Sequence, residues 1–184
     1  MTEQDPNWRP IDELIGDRIF PPLRDQARRA LEALRTNRWP VLLGPTGSGK
    51  THILGWLLQP DDPKRGARGI DRWEAYLSDI RSSFGRHDMA PESVIRQRLA
   101  DKGGLLVLDD VGAAGEREKS DWAVAVLGFV IHKREAWNRP VALTSNLSLE
   151  ALAEAIGDRS YSRLRSKAVV IEMPPVDFRM LEQD

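Results

Sequence analysis

The chain has 184 residues, 41% hydrophobic and 30% charged, enough for one compact domain with its own core and too few for two full ones. Its formal net charge is −1 and its pI about 6.3, so there is no overall positive field to draw nucleic acid, and DNA contact would fall to local patches. With no cysteine, disulfides and thiolate metal sites are excluded, and the scattered His52, His87 and His132 make no zinc pattern.

Residues 1–22, with Pro6, Pro10, Pro21 and Pro22, read as a lead-in, and residues 23–184 as the domain proper. The first residues lack the basic start and apolar stretch of a secretory signal, so a cytoplasmic location is expected. From Leu23 to Arg38 the apolar Leu23, Ala27, Ala30, Leu31 and Leu34 recur at helical spacing and predict an amphipathic helix with an arginine-rich outer face. Val41-Leu42-Leu43 predicts a buried strand, and Thr51 to Leu58 a helix. Gln59 to Pro63 is a breaker. Beyond it the pattern predicts a short strand near Ala67 to Trp73 and helices over Glu74 to Phe84 and Pro91 to Ala100, the latter stopped by Gly103-Gly104. Leu105 to Leu108 predicts a buried strand, Glu118 to Arg134 a long helix, Pro140 to Thr144 a strand, Leu149 to Ile156 a helix and Ala168 to Glu172 a last strand. The longest apolar run, Trp122 to Ile131, falls short of the ~20 residues that span a bilayer, so no membrane association is expected.

Strands alternating with helices imply an α/β fold, a parallel sheet covered on both faces, with ligands at the carboxyl ends of its strands. Between the first strand and its helix stand Gly44, Pro45, Thr46, Gly47, Ser48, Gly49, Lys50 and Thr51, which fit G-x-x-x-x-G-K-[ST], the phosphate-binding loop. Glycines let successive N–H groups turn toward phosphate oxygens, and the positive end of the helix dipole adds to the attraction. Lys50 supplies a point charge for the β and γ phosphates, and the Thr51 hydroxyl is placed to ligate Mg²⁺. The strand Leu105 to Leu108 ends in Asp109-Asp110, where the first acid would hold Mg²⁺ opposite Thr51 and the second would orient the attacking water. Thr144-Ser145-Asn146 closes the next strand. If that strand lies between the other two, Asn146 points to the γ-phosphate.

Lys64, Arg65, Arg68 and Arg72 form one basic cluster, with Arg81 and Arg86 further on and Trp73 and Phe84 as aromatic neighbours on which bases could stack. Arg159, Arg163, Arg165 and Lys167 form a second.

The sequence Gly44 to Thr51 with His52 next, Leu105 to Gly112, Thr144 to Leu147, Gly157-Asp158-Arg159 to Ser162-Arg163-Leu164, and the closing Asp177-Phe178-Arg179 together resemble the AAA+ ATPases of the DnaC type, the replicative helicase loaders, and the related IstB-type transposition helpers. The likeness covers roughly residues 23–179. It implies a P-loop fold of the AAA+ type with a five-stranded parallel sheet in the order 5-1-4-3-2, the strands numbered along the chain. It implies ATP and Mg²⁺ held by Gly44 through His52 and by Asp109, with Asn146 as first sensor. It also implies Arg163 as an arginine finger reaching a neighbouring subunit's γ-phosphate, Arg159 as its competitor one helical turn earlier, and Arg179 as a second sensor in cis. A homo-oligomer on single-stranded DNA, with a replicative helicase or transposase as partner, belongs to the same expectation. Asp110, an acid shorter than the glutamate of many AAA+ proteins, implies slow, switch-like hydrolysis. A nucleotide-gated adaptor with little turnover is the alternative; a small-molecule kinase would leave Asn146 and Arg163 without a task.

Overall fold

Four short apolar strands form the centre of the fold in the computed structural model, which describes residues 13, 15, 19–58, 70, 72–82, 92–112 and 121–180. They are β1 (Trp39–Leu43), β2 (Leu106–Leu108), β3 (Val141–Ser145) and β4 (Ala168–Glu172), all parallel, in the order β2-β3-β1-β4. The helices are α1 (Arg24–Arg35), α2 (Lys50–Leu58), α3 (Trp73–Ser82), α4 (Glu92–Asp101), α5 (Asp121–Ala136), α6 (Leu149–Ile156) and α7 (Asp158–Lys167). Short 3-10 turns lie at Pro21–Leu23 and Phe178–Met180.

Strand side chains alternate between two faces, and both faces are apolar, as a sheet covered on both sides requires. Trp39, Val41 and Leu43 of β1, Leu106 and Leu108 of β2, and Val141 and Leu143 of β3 enter one core with residues of α3, α5, α6 and α7. Leu42, Val107, Ala142 and Ile171 enter the other, against Ala27 and Ala30 of α1 and Ile53, Leu54 and Trp56 of α2. Each large side chain buried in this way contributes about 1.5–3 kcal/mol.

One clamp in the core is polar. The wholly buried Arg134 of α5 has no acidic partner among the described residues; its guanidinium donates to Gly104 O and Pro140 O at 2.6 Å each and to Lys102 O. These carbonyls lie after α4 and before β3, so one side chain satisfies acceptors that leave a helix end and approach a strand.

The expected five-stranded sheet of order 5-1-4-3-2 is corrected to four strands among the described residues, which in the numbering of that expectation follow the order 5-1-4-3. Of the strand expected near Ala67 to Trp73, most residues lie outside those described, and Arg72 makes an isolated parallel bridge to Asp109. The first helix ends at Arg35, short of the expected Arg38, because Asn37 adopts a positive φ of 57° and turns the chain into β1. Helix α7 was not foreseen as an element. Its sequence is polar, with Leu164 and Ser160 as its buried residues, so apolar periodicity gave no signal. Among the described residues no helix is long and apolar enough to cross a membrane.

Candidate nucleotide site

Strand register brings the sequence motifs together. Leu43 pairs with Ser145 and Leu108 with Leu143, so the residues after β1, β2 and β3 emerge on one rim. Asp109, one residue past β2, stands beside Thr144, one residue past Leu143. Thr144 Oγ1 donates to Asp109 Oδ1 at 2.6 Å and accepts from the Asp110 N–H at 2.9 Å. Thr51 Oγ1 lies 3.2–3.3 Å from both Asp109 carboxylate oxygens. Burial raises the Asp109 pKa above its ordinary value, against the pull of the Thr144 and Thr51 hydroxyls. Among the described residues no group of three acids, histidines or cysteines could cage a metal. One carboxylate and one hydroxyl suit Mg²⁺, which keeps its waters and takes its remaining oxygens from phosphate.

Lys50 opens α2 and is 5% exposed. Its ammonium donates to Gly44 O at 2.7 Å, Pro45 O at 2.8 Å and Asn146 Oδ1 at 2.6 Å. Burial lowers its pKa, although Asp110 and Asp109 pull the other way. Asn146 Nδ2 is 3.5 Å from Asp110 Oδ1, at the limit of a hydrogen bond. Asp110 holds a positive φ of 57°, a strained conformation for a non-glycine residue, which turns the chain out of β2 at this point.

The loop glycines are held by left-handed backbone and by close packing. Gly47 has φ +79°, and a Cβ built there would fall 1.8 Å from Asp177 Oδ1. At Gly49, with φ +89°, it would fall 2.3 Å from Leu23 Cδ1. The Ser48 hydroxyl is buried with no hydrogen-bond partner among the described residues, an orphan that a bound group could satisfy. Beside the loop opens a cleft of about 480 Å³. Lys50, Thr51, His52, Asp110, Asn146 and Arg179 contribute to its polar wall. Phe20, Leu23 and Phe178 form an apolar part, with the Phe20 and Phe178 rings edge to face at 5.1 Å. The chain after β4 is fastened over the loop: Phe178 N–H donates to Gly47 O at 3.0 Å, and Arg179 N–H to Asp177 Oδ1 at 3.0 Å.

The remaining sequence expectations scatter. Arg163 lies on α7, outside the cleft; its guanidinium is 2.9 Å from Glu135 Oε2 and 2.8 Å from His132 Nδ1. Arg159 is exposed one turn earlier. Arg81 lies over the Trp122 ring at 5.3 Å. Arg72 lines the same cleft as Lys50 and Asn146. Lys64, Arg65, Arg68, Arg86 and Phe84 lie outside the described residues. Trp73 is corrected: it is 1% exposed in the core, so its ring offers no face to a base. Sequence reasoning missed Thr144 as the partner of Asp109, and it missed the apolar wall. For Thr144 the only signal was its place two residues before Asn146; for Phe20 there was none.

No protein-family model and no curated protein matches the sequence. The fold does match solved structures. The replication initiator DnaA bound to AMPPCP and single-stranded DNA superposes with a TM-score of 0.66 at 18% identity, over 87% of this chain and 49% of that one. The DnaC helicase loader gives 0.60 at 18% identity, over 82% and 90%. DnaI gives 0.60 at 23% identity, over 91% and 95%. The chain spans about half the length of the initiator structures it matches. The chain therefore has the fold of the DnaC helicase loader, shared with DnaI and with DnaA.

Proposed function

We propose that this chain binds ATP with Mg²⁺ in the cleft beside Lys50, hydrolyses it slowly, and couples nucleotide state to assembly on single-stranded DNA as a helicase loader or transposition helper. The observation that carries the reading is the convergence of Lys50, the Thr51–Asp109 pair and Asn146 at one sheet rim, beside a loop whose Gly47 and Gly49 hold left-handed backbone. Its DNA and partner components follow from the resemblance to DnaC-type loaders and from the structural neighbours, which include a DnaA with single-stranded DNA and a helicase loader.

In this reading the Lys50 ammonium exchanges one or more of its three oxygen partners for β and γ phosphate oxygens. Thr51 and Asp109 would hold Mg²⁺, which when bound neutralises charge on the β and γ phosphates. Asp110 orients the attacking water and takes its proton as the new O–P bond forms. The bond from the γ-phosphorus to the bridging oxygen breaks, its electron pair leaving with ADP. Asn146, next to both Asp110 and Lys50, senses which nucleotide is present. Arg179 contacts the triphosphate in cis. Arg163 serves as the finger for a neighbouring subunit, in competition with Arg159. To do so Arg163 must leave Glu135, whereas Arg159 makes no hydrogen bond or ion pair among the described residues.

The test is ATP hydrolysis at increasing protein concentration, with and without single-stranded DNA, for the parent, Lys50→Ala, Arg163→Ala and Arg159→Ala. Turnover that rises faster than linearly with protein, grows with DNA, and is lost in Lys50→Ala and in one finger variant is the expected result. Tight ATP binding with flat, negligible turnover would favour the second reading, a nucleotide-gated adaptor. The Glu135 contact that holds Arg163 within its own chain is the observation on that reading's side.

A further inference from the structure

Arg72 belongs by sequence to a basic cluster with Lys64, Arg65 and Arg68, yet it lines the same cleft as Lys50, Thr51, Asp110 and Arg179. Its backbone is fixed there. Arg72 bridges Asp109, and the next residue, Trp73, donates its N–H to Asp109 O at 2.9 Å. The Trp73 ring, with Leu77 and Ile80, anchors α3 in the core. The guanidinium itself is exposed and makes no hydrogen bond or ion pair among the described residues. Two carboxylates stand in the neighbourhood, but Asp109 is buried and already bonded to Thr144 and Thr51, and Asp110 lies 3.5 Å from Asn146.

The cleft has two sides. Leu23 packs against Gly49 and Phe178 bonds to Gly47, so the apolar wall lies along the phosphate loop. Arg72 approaches from β2, where Asp109 and Asp110 emerge. A nucleotide base belongs with Phe20, Leu23 and Phe178, and the last phosphate with Lys50, Thr51 and Asp109. A guanidinium that makes no hydrogen bond among the described residues, and whose charge acts on Asp109, therefore lines the part of the cleft where the terminal phosphate would lie. A guanidinium binds phosphate with two parallel N–H donors, which a lysine ammonium does not.

We propose that Arg72 reads the terminal phosphate of the bound nucleotide within its own subunit and that nucleic acid is not its ligand. The inference rests on the reading of the cleft as an ATP site. It makes Arg72 a determinant of triphosphate over diphosphate preference, and it ties nucleotide state to the strand edge and to α3, which begins at the next residue.

Equilibrium titration with a fluorescent non-hydrolysable ATP analogue and with fluorescent ADP tests it, alongside nucleotide-free titration with a labelled single-stranded oligonucleotide. Arg72→Ala is expected to lower the ratio of triphosphate to diphosphate affinity by about tenfold or more, the loss of one charged hydrogen-bonded contact, with oligonucleotide affinity unchanged. Arg72→Lys, which keeps the charge and leaves the fold undisturbed, is expected to lose about threefold. An unchanged ratio, an equal loss for both nucleotides, or a loss confined to the oligonucleotide overturns the inference. Lys50→Ala separates it from its premise. If that variant binds nucleotide as the parent does, the ATP-site reading fails; if it loses nucleotide while Arg72→Ala keeps the parent ratio, only the role of Arg72 fails.

Discussion

Lys50 donates a 2.6 Å hydrogen bond to Asn146 Oδ1, joining the start of α2 to the end of β3 across the mouth of the cleft. The two residues lie 96 positions apart in sequence, and the parallel register of β1 with β3 brings them together. Without nucleotide, Asn146 occupies one of the directions in which Lys50 could meet a phosphate. Asn146→Asp would put a carboxylate in that place, pair it with the ammonium and set it against any incoming phosphate. We expect ATP affinity to fall at least about tenfold while the nucleotide-free Tm does not fall, read by titration and thermal denaturation.

Thr144 serves Asp109 and Asp110 at once, donating to one side chain and accepting from the other's backbone. Thr144→Val keeps the shape and removes both bonds, leaving a buried carboxylate oxygen and an amide without their partner. A loss of about 1–3 kcal/mol in unfolding free energy is expected, together with weaker Mg²⁺-dependent nucleotide binding. A variant as stable as the parent in a denaturant titration would show that neither bond matters.

Gly47 and Asp177 are in contact across the phosphate loop. Gly47→Ala places its Cβ on the Asp177 carboxylate and forces alanine into a left-handed backbone. ATP binding should be lost. The double variant Gly47→Ala/Asp177→Ala removes the clash but not the backbone strain, so it should recover stability only in part, by a non-additive amount that a double-mutant cycle measures.

Arg134 is clamped among backbone carbonyls, and burial lowers its pKa to about 10. A cation whose folded pKa lies below its unfolded value opposes folding by a constant amount below about pH 10, and this opposition fades as pH rises from there toward the unfolded value. Arg134 should therefore give no pH dependence of stability between pH 6 and 9. Arg134→Met strips the carbonyls of their donors and should cost about 3 kcal/mol or more, a fall in Tm of roughly 6–12 °C for a domain of this size. ATP binding measured below the new Tm should survive, because Arg134 lies outside the cleft.

Local pattern alone made several elements legible. Val41-Leu42-Leu43 is too apolar to be anything but interior, the glycines and Lys50-Thr51 carry their chemistry in their spacing, and Asp109-Asp110 follows an apolar run at a strand end. Leu149 to Ile156 was predicted with the bounds observed, because its periodicity is clean and Ser148 caps it, accepting from the Ala151 N–H. Elements held by few apolar contacts were not legible. Helix α7 buries little but Leu164.

The sequence by itself determined the phosphate loop, the acid pair and the alternation of strand and helix, since each is written in neighbouring residues whose chemistry or period is local. Only the tertiary structure decided which distant groups meet. The register of β2 against β3 sets Thr144 on Asp109, and the return of the chain after β4 lays Asp177 and Phe178 on Gly47. The same fold brings Arg72 to the cleft that Lys50 lines, and it turns Trp73 into the core. Side-chain direction at a strand end depends on pairing with another strand, and nothing within a few residues of Arg72 or Thr144 encodes that pairing.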